Sequence, residues 1–217
     1  MSMSDSTRKN LAVDARREMI FRHASQVFAA KGFAGTKIAD IAVAAGMSQG
    51  LLYRHFASKD ELFTELIASS FAKLLTAIEA LDQMRIAPHE KIEMALRGVL
   101  ASMASDPAFS ERVLLIAQAS ISEQIPEATK AVLKAERGKP YAVIAKIMAD
   151  GQAKGTIQPG EPAELSMLFW STIKGLALHK VSAGAKFRAP DTAILCRMFL
   201  TSTSAQATNK GVRNARR

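Results

Sequence analysis

A glycine at position 46, with a helical pattern on each side of it, sets the tightest limit on this chain. The stretch from Thr36 to Lys59 reads TKIADIAVAAGMSQGLLYRHFASK. Thr36 is a residue type suited to capping a helix start, because its hydroxyl can accept a backbone N–H left free in the first turn. Ile38, Ile41, Ala42 and Ala45 follow at spacings of three and four, which gives one apolar face. Gly46 then supplies the left-handed conformation that ends a helix. Ser48 can cap a second, short helix with Leu52 and Phe56 on its inner side. Two short helices joined by a glycine turn predict a helix-turn-helix unit.

In such a unit the first helix braces and the second enters the major groove, N-terminal residues at the base edges. Ser48, Gln49, Gly50 and Leu51 fall at that end. Tyr53, Arg54 and His55 lie further along, nearer the phosphates. A glutamine amide donates and accepts together, so Gln49 suits adenine, while Leu51 can only pack on a thymine methyl. Thr36, Lys37 and Lys59 are candidates for phosphates beside the groove. Such contacts set register rather than sequence.

Over these residues the chain resembles the DNA-binding domain of the tetracycline-repressor (TetR) family. The matching positions are Gly32, Phe33, Thr36, Ile38, Ile41, Ala42, Gly46, Ser48, Gly50, Leu52, Tyr53, His55, Phe56, Lys59, Asp60, Glu61 and Leu62. The resemblance covers roughly residues 14–62. Leu51 departs from it, standing where the family more often has a small hydroxyl residue. The resemblance implies a homodimer, formed by a four-helix bundle of the last two helices of each copy. It also implies a small-molecule effector held by the larger domain.

The rest of the chain reads as helical. Hydrophobic residues make up 48% and aromatics 6%, so the core rests on aliphatic side chains. Cys196 is the one cysteine, which excludes an internal disulfide. The N-terminus lacks the apolar stretch of a signal peptide, and no run is long enough to span a membrane. A cytoplasmic location is expected. The net charge of +9 sits at the two ends, while residues 63–185 balance to zero. A basic end attracts a polyanion. The tail NKGVRNARR reads as a solvated segment that specifies no sequence.

In chain order, residues 1–13 form a flexible arm in which Arg8 and Lys9 are candidate phosphate contacts. Residues 14–57 form the helix-turn-helix domain. Its first helix runs from about Asp14 to Lys31, with Ile20, Ala24, Val27 and Phe28 inward and Arg16, Arg17 and Arg22 as surface charge. Residues 58–202 form the ligand-binding and dimerisation domain, and 203–217 the basic tail. Ser58 and Glu61 make a capping box for a long fourth helix. The next helix follows Pro88. A sixth presents Phe109, Val113, Leu114, Ile116 and Ala117. Gly138 and Pro140 interrupt a seventh. The last two start near Pro162 and after Pro190.

No enzyme constellation is present. The four histidines are scattered, with no metal-ligand spacing, and no phosphate loop or nucleophile elbow occurs. Neither a metal nor a cofactor is expected. Met103, Phe109, Met148, Met167, Phe169 and Trp170 are candidates for lining an apolar cavity, with Gln118, Gln124 and His179 as its polar groups. The resulting expectation is an all-α regulator. A dimer binds a palindromic double-stranded operator, acts as a repressor, and is released by a small apolar or aromatic ligand. An activator, or a regulator answering to a protein, is the alternative. A helical small-molecule-binding protein or enzyme is the other.

Overall fold

A computed structural model describes the backbone of residues 5–202 and the side chains of residues 13–202 except Pro107. The expected contacts of Arg8 and Lys9, and the basic tail, lie outside the described side chains. The described chain is built of α-helices, with one 3-10 turn and a single β-bridge but no strand. This is the all-α class, a small N-terminal helix-turn-helix domain followed by a larger helical one.

The helices are α1 (Asp5–Gly35), α2 (Ile38–Ala44), α3 (Gln49–Tyr53), α4 (Lys59–Gln83), α5 (Pro88–Ser105), α6 (Pro107–Ala119), α7 (Glu127–Glu136), α8 (Lys139–Ala153), α9 (Pro162–Ala183) and α10 (Thr192–Phe199). α1 starts at Asp5 rather than Asp14, so part of the expected arm is helical. It kinks at Gly32, whose φ of 70° leaves the helical region. The expected interruption separates α7 from α8, and Pro162 opens α9.

Two compact units make up the chain, residues 1–70 with 111–133 and residues 71–110 with 134–217. In the first unit α1, α2, α3 and the start of α4 enclose Ile20, Ala24, Phe28, Ile41, Leu52, Phe56, Leu62, Phe63, Leu66 and Ile67, all at most 1% exposed. The expected inner face of α1 holds, with Val27 half-buried. Phe28, Phe33 and Phe63 form an aromatic cluster, with centroids 4.8 Å apart for Phe28–Phe63 and for Phe33–Phe63. Edge-on rings add to the area they bury.

In the second unit α8 packs on α9, and α5 packs on α8, α9 and α10. Its core includes Ile92, Leu96, Met103, Ile144, Ile147, Met148, Phe169, Ile173 and Phe199. The turn after α8 is pinned from two sides. Ile157 pairs with Leu200 in the bridge, and the Gln152 amide donates to Gln158 O at 2.9 Å and Gly160 O at 2.8 Å. Asp82 at the end of α4 accepts from Lys146 at 2.6 Å.

Two local readings need correction. Thr36 does not cap α2: it is 2% exposed, and its hydroxyl donates to Gly32 O at 2.7 Å. The capping position belongs to Lys37, whose N–H donates to Asp40 at 2.9 Å. On α6 the buried side chains are Ala108, Ser110, Leu115 and Ala119, while Val113, Leu114, Ile116 and Ala117 are half-buried. Leu115 is the inward leucine that the spacing missed.

Candidate nucleic-acid interface

The motif is assembled from its turn outward. Gly46, at φ 64°, ends α2, and its N–H donates to Val43 O at 3.1 Å. Ser48 caps α3, accepting from Leu51 N–H at 3.2 Å. Leu52 and Phe56 are 0% and 1% exposed, so α3 is held by this inner edge. The other edge faces outward. Lys37, Ser48, Gln49, Gly50 and Arg54 are exposed, Tyr53 is 50% exposed, and Leu51 and His55 are half-buried. Nine of the ten expected contact residues are therefore exposed or half-buried, Lys59 among them.

Thr36 is buried, and Lys59 has two internal carbonyl partners. The single hydroxyl proton of Thr36 is given to Gly32 O, inside the domain. Lys59 donates to Phe33 O at 2.9 Å and Thr36 O at 3.1 Å, with its ammonium 4.2 Å from the centre of the Phe33 ring. It stands at the start of α4 and closes off the carbonyls that follow the α1 kink. That satisfies acceptors the kink leaves without helical partners. Thr36 is thus turned inward, and the half-buried Lys59 has two of its three ammonium N–H groups on internal carbonyls.

Arg17, expected from the sequence to be surface charge, has a larger role than its spacing suggested. Its guanidinium donates to His55 O at 3.1 Å, pairs with Glu65 and lies 4.4 Å from the centre of the Phe56 ring. It joins α1 to the end of the motif and to the second turn of α4. The partners lie 38 and 48 residues away, so local spacing held no signal for them. Arg16 and Arg22 are exposed, as expected.

The electrostatics follow from this arrangement. His55 has its pKa lowered below 6.5 by burial first, and then by Arg16, Arg17 and Arg54 around it. Its neutral form is therefore favoured at neutral pH, as a donor or acceptor rather than a fixed charge. Asp40 is held below the usual carboxylate range by the Lys37 N–H, then by Lys31, which pairs with it at 2.9 Å. Asp40 and Glu65 are thus both matched by cations, leaving Lys37 and Arg54 on the outer side.

The expected ligand residues are dispersed. Met103, Met148, Phe169 and Trp170 are buried and Phe109 is half-buried. Met167 is 50% exposed and His179 and Gln118 are exposed, so these three do not line an interior. Gln124 is exposed as well. An open groove of ≈ 490 Å³ in the first unit is lined by Asp60, Glu61, Thr64, Glu65, Pro126, Glu127 and Ala128, none of them an expected ligand residue. Among the described residues, no three His, Cys, Asp or Glu side chains cluster to hold a metal ion. No described helix is long and apolar enough to cross a membrane.

The sequence pattern of bacterial regulatory proteins of the tetR family matches residues 20–66, from the inner face of α1 to the second turn of α4. The match places a tetR-family domain at residues 20–66. The transcriptional repressor NicS of Pseudomonas putida is 29% identical over 146 residues, covering 65% of this chain. The chain spans 66% of NicS, just under two thirds of its length. A TetR-family regulator from Agrobacterium tumefaciens superposes with a TM-score of 0.68 at 19% identity, over 87% of this chain and 100% of that one. The Bacillus subtilis regulator FadR in complex with stearoyl-CoA gives 0.60 at 18% identity, over 83% of this chain and 94% of that one. These two likenesses are of fold.

Proposed function

We propose that this tetR-family chain is a transcriptional repressor in the cytoplasm. It reads a palindromic operator as a homodimer and is released by a small effector. The observation that carries the reading is the two-sided build of the motif. Ile41, Leu52 and Phe56 fasten it inward, and Ser48, Gln49, Gly50, Tyr53 and Arg54 stand outward. Gln49 and Leu51 read bases, and Lys37, Tyr53, Arg54 and His55 hold the backbone. Thr36, Lys59 and Arg17 position the motif. The NicS likeness supports repression, as does the simple fact that a bound dimer occupies a promoter.

A second copy covers the outer faces of α9 and α10. Met167, Leu168, Leu178 and Val181 on α9 and Ile194 and Met198 on α10 are each between 41% and 57% exposed. Apolar side chains gathered on one pair of helices are an interaction surface rather than scattered exceptions. The effector binds in the second unit and favours one setting of α4, which contains residues of both units. It acts only through a difference in affinity between the two settings.

The test is selection of bound sequences from random duplex DNA by the full chain, at two salt concentrations. Enrichment of a palindrome with half-sites about one helical turn apart is the expected result. Salt-sensitive binding with no enriched sequence overturns the reading.

A further inference from the structure

In the second unit, several buried polar atoms lack a partner, among them Trp170 Nε1, His89 Nδ1 and Ser110 Oγ. The indole N–H of Trp170 lies inside the unit with no hydrogen-bond partner among the described residues, and its residue is 8% exposed. Leaving such a donor unpaired is destabilising, so it calls for an explanation. Phe169 meets the indole edge-on at 5.3 Å and Tyr141 packs against it at 6.0 Å. The half-buried Lys174, one turn along α9, donates to the Tyr141 hydroxyl at 2.7 Å. Ser166 fixes the start of α8 by donating to Tyr141 O at 2.8 Å. No carboxylate of the described residues pairs with Lys174.

The cluster is thus made of donors. The indole offers one N–H at its inner end. The ammonium has two further N–H groups beyond the one on Tyr141. The phenol, accepting from Lys174, keeps its own proton to give. We propose that Tyr141, Trp170 and Lys174 form the anion-binding end of the effector site, and that the effector is a small organic acid. Its carboxylate takes the indole N–H and the ammonium, and its apolar body lies against the Phe169 and Trp170 rings. A neutral apolar molecule leaves the indole unpaired and the ammonium unmatched. This rests on the reading that the second unit binds an effector, and it names the chemical class.

Trp170 is the one tryptophan of the chain, so emission excited at the red edge of the indole band, where tyrosine does not absorb, reports this site alone. The probes are octanoate and phenylacetate, each compared with its primary amide, titrated into the full-length protein. At least one acid shifts or quenches the emission and binds about ten- to a hundredfold more tightly than its amide, the ratio set by charge-assisted hydrogen bonds. Lys174→Met brings acid and amide together while leaving amide binding in place, and Lys174→Arg restores the preference. Tyr141→Phe weakens the acid and spares the amide. Equal binding of acid and amide, a preference that survives Lys174→Met, or emission unmoved by either acid overturns the proposal. The selected operator, fluorescently labelled, is followed in the same titrations. Emission that shifts without operator release keeps the acid site and removes the effector role. Release by these probes with unmoved emission keeps the effector role and removes this site.

Discussion

Lys59 and Arg54 carry the same charge five residues apart, yet the fold gives them different work. Arg54 is exposed beyond the end of α3, whereas Lys59 has two carbonyls and an aromatic face as partners. Arg54→Ala should reduce the slope of log K against log salt by about 0.9, the change for one phosphate contact, with stability unaltered. Lys59→Ala should leave that slope unchanged and lower stability by about 1.5–3 kcal/mol, the range for hydrogen bonds made by a charged group. Salt-dependent operator titration and urea unfolding of the two variants check both. His55 adds a pH dependence. Its folded pKa lies below the unfolded value of 6.5, so the unfolded chain binds the proton first. Its stabilising contribution is complete above about pH 6.5 and is lost as pH falls from there through the depressed folded pKa. Between about pH 7.5 and 5.5, His55→Gln should lose less stability than the parent chain, the difference being that linkage. Urea unfolding at the two pH values measures it.

At the scale of elements, Gly151 is the most crowded of the described glycines. A Cβ placed there would stand 2.4 Å from Ile157 Cδ1 and 3.1 Å from its Cβ. Ile157 cannot simply retreat, since its backbone is held by the bridge to Leu200. Gly151→Ala should therefore destabilise by about 1–3 kcal/mol, the usual cost of overpacking, read from the urea midpoint at constant m-value. Nothing at Gly151 itself announced this. The sequence reports what a residue does to its near neighbours. The Gly46 turn, the Ser48 cap and the proline before α10 were legible because each needs only a few residues of context. Thr36 has the right side chain for a cap, but a kink at Gly32 places a carbonyl closer to hand. Arg17 looked like any surface arginine because His55 and Glu65 reach it only once α1, the motif and α4 have packed. The inner face of α6 was misread because its apolar residues run without interruption from Val113 to Ala117, which leaves period 3.6 without contrast. The exposure of the motif's outer row was legible; which of its basic neighbours bond inside the domain was not.

At the scale of the whole molecule, the homodimer proposed above turns a short motif into a reader of long sites. One copy places a five-residue α3 at a handful of base pairs, and two copies on a symmetric operator multiply that recognition. Leu178 allows this to be tested cleanly. It is 57% exposed in the protomer, so a charge there meets water and leaves the protomer's core intact. In a two-fold interface each substituted residue appears twice, and burying an unmatched carboxylate costs several kcal/mol. Leu178→Glu should therefore be monomeric by sedimentation at concentrations where the parent chain is dimeric, with unchanged helical content. Its affinity for the full palindrome should fall to that for a single half-site, while the parent chain prefers the palindrome by at least about a hundredfold. A Leu178→Glu protein that remains dimeric and keeps that preference would place the interface elsewhere and leave the apolar faces of α9 and α10 to a different partner.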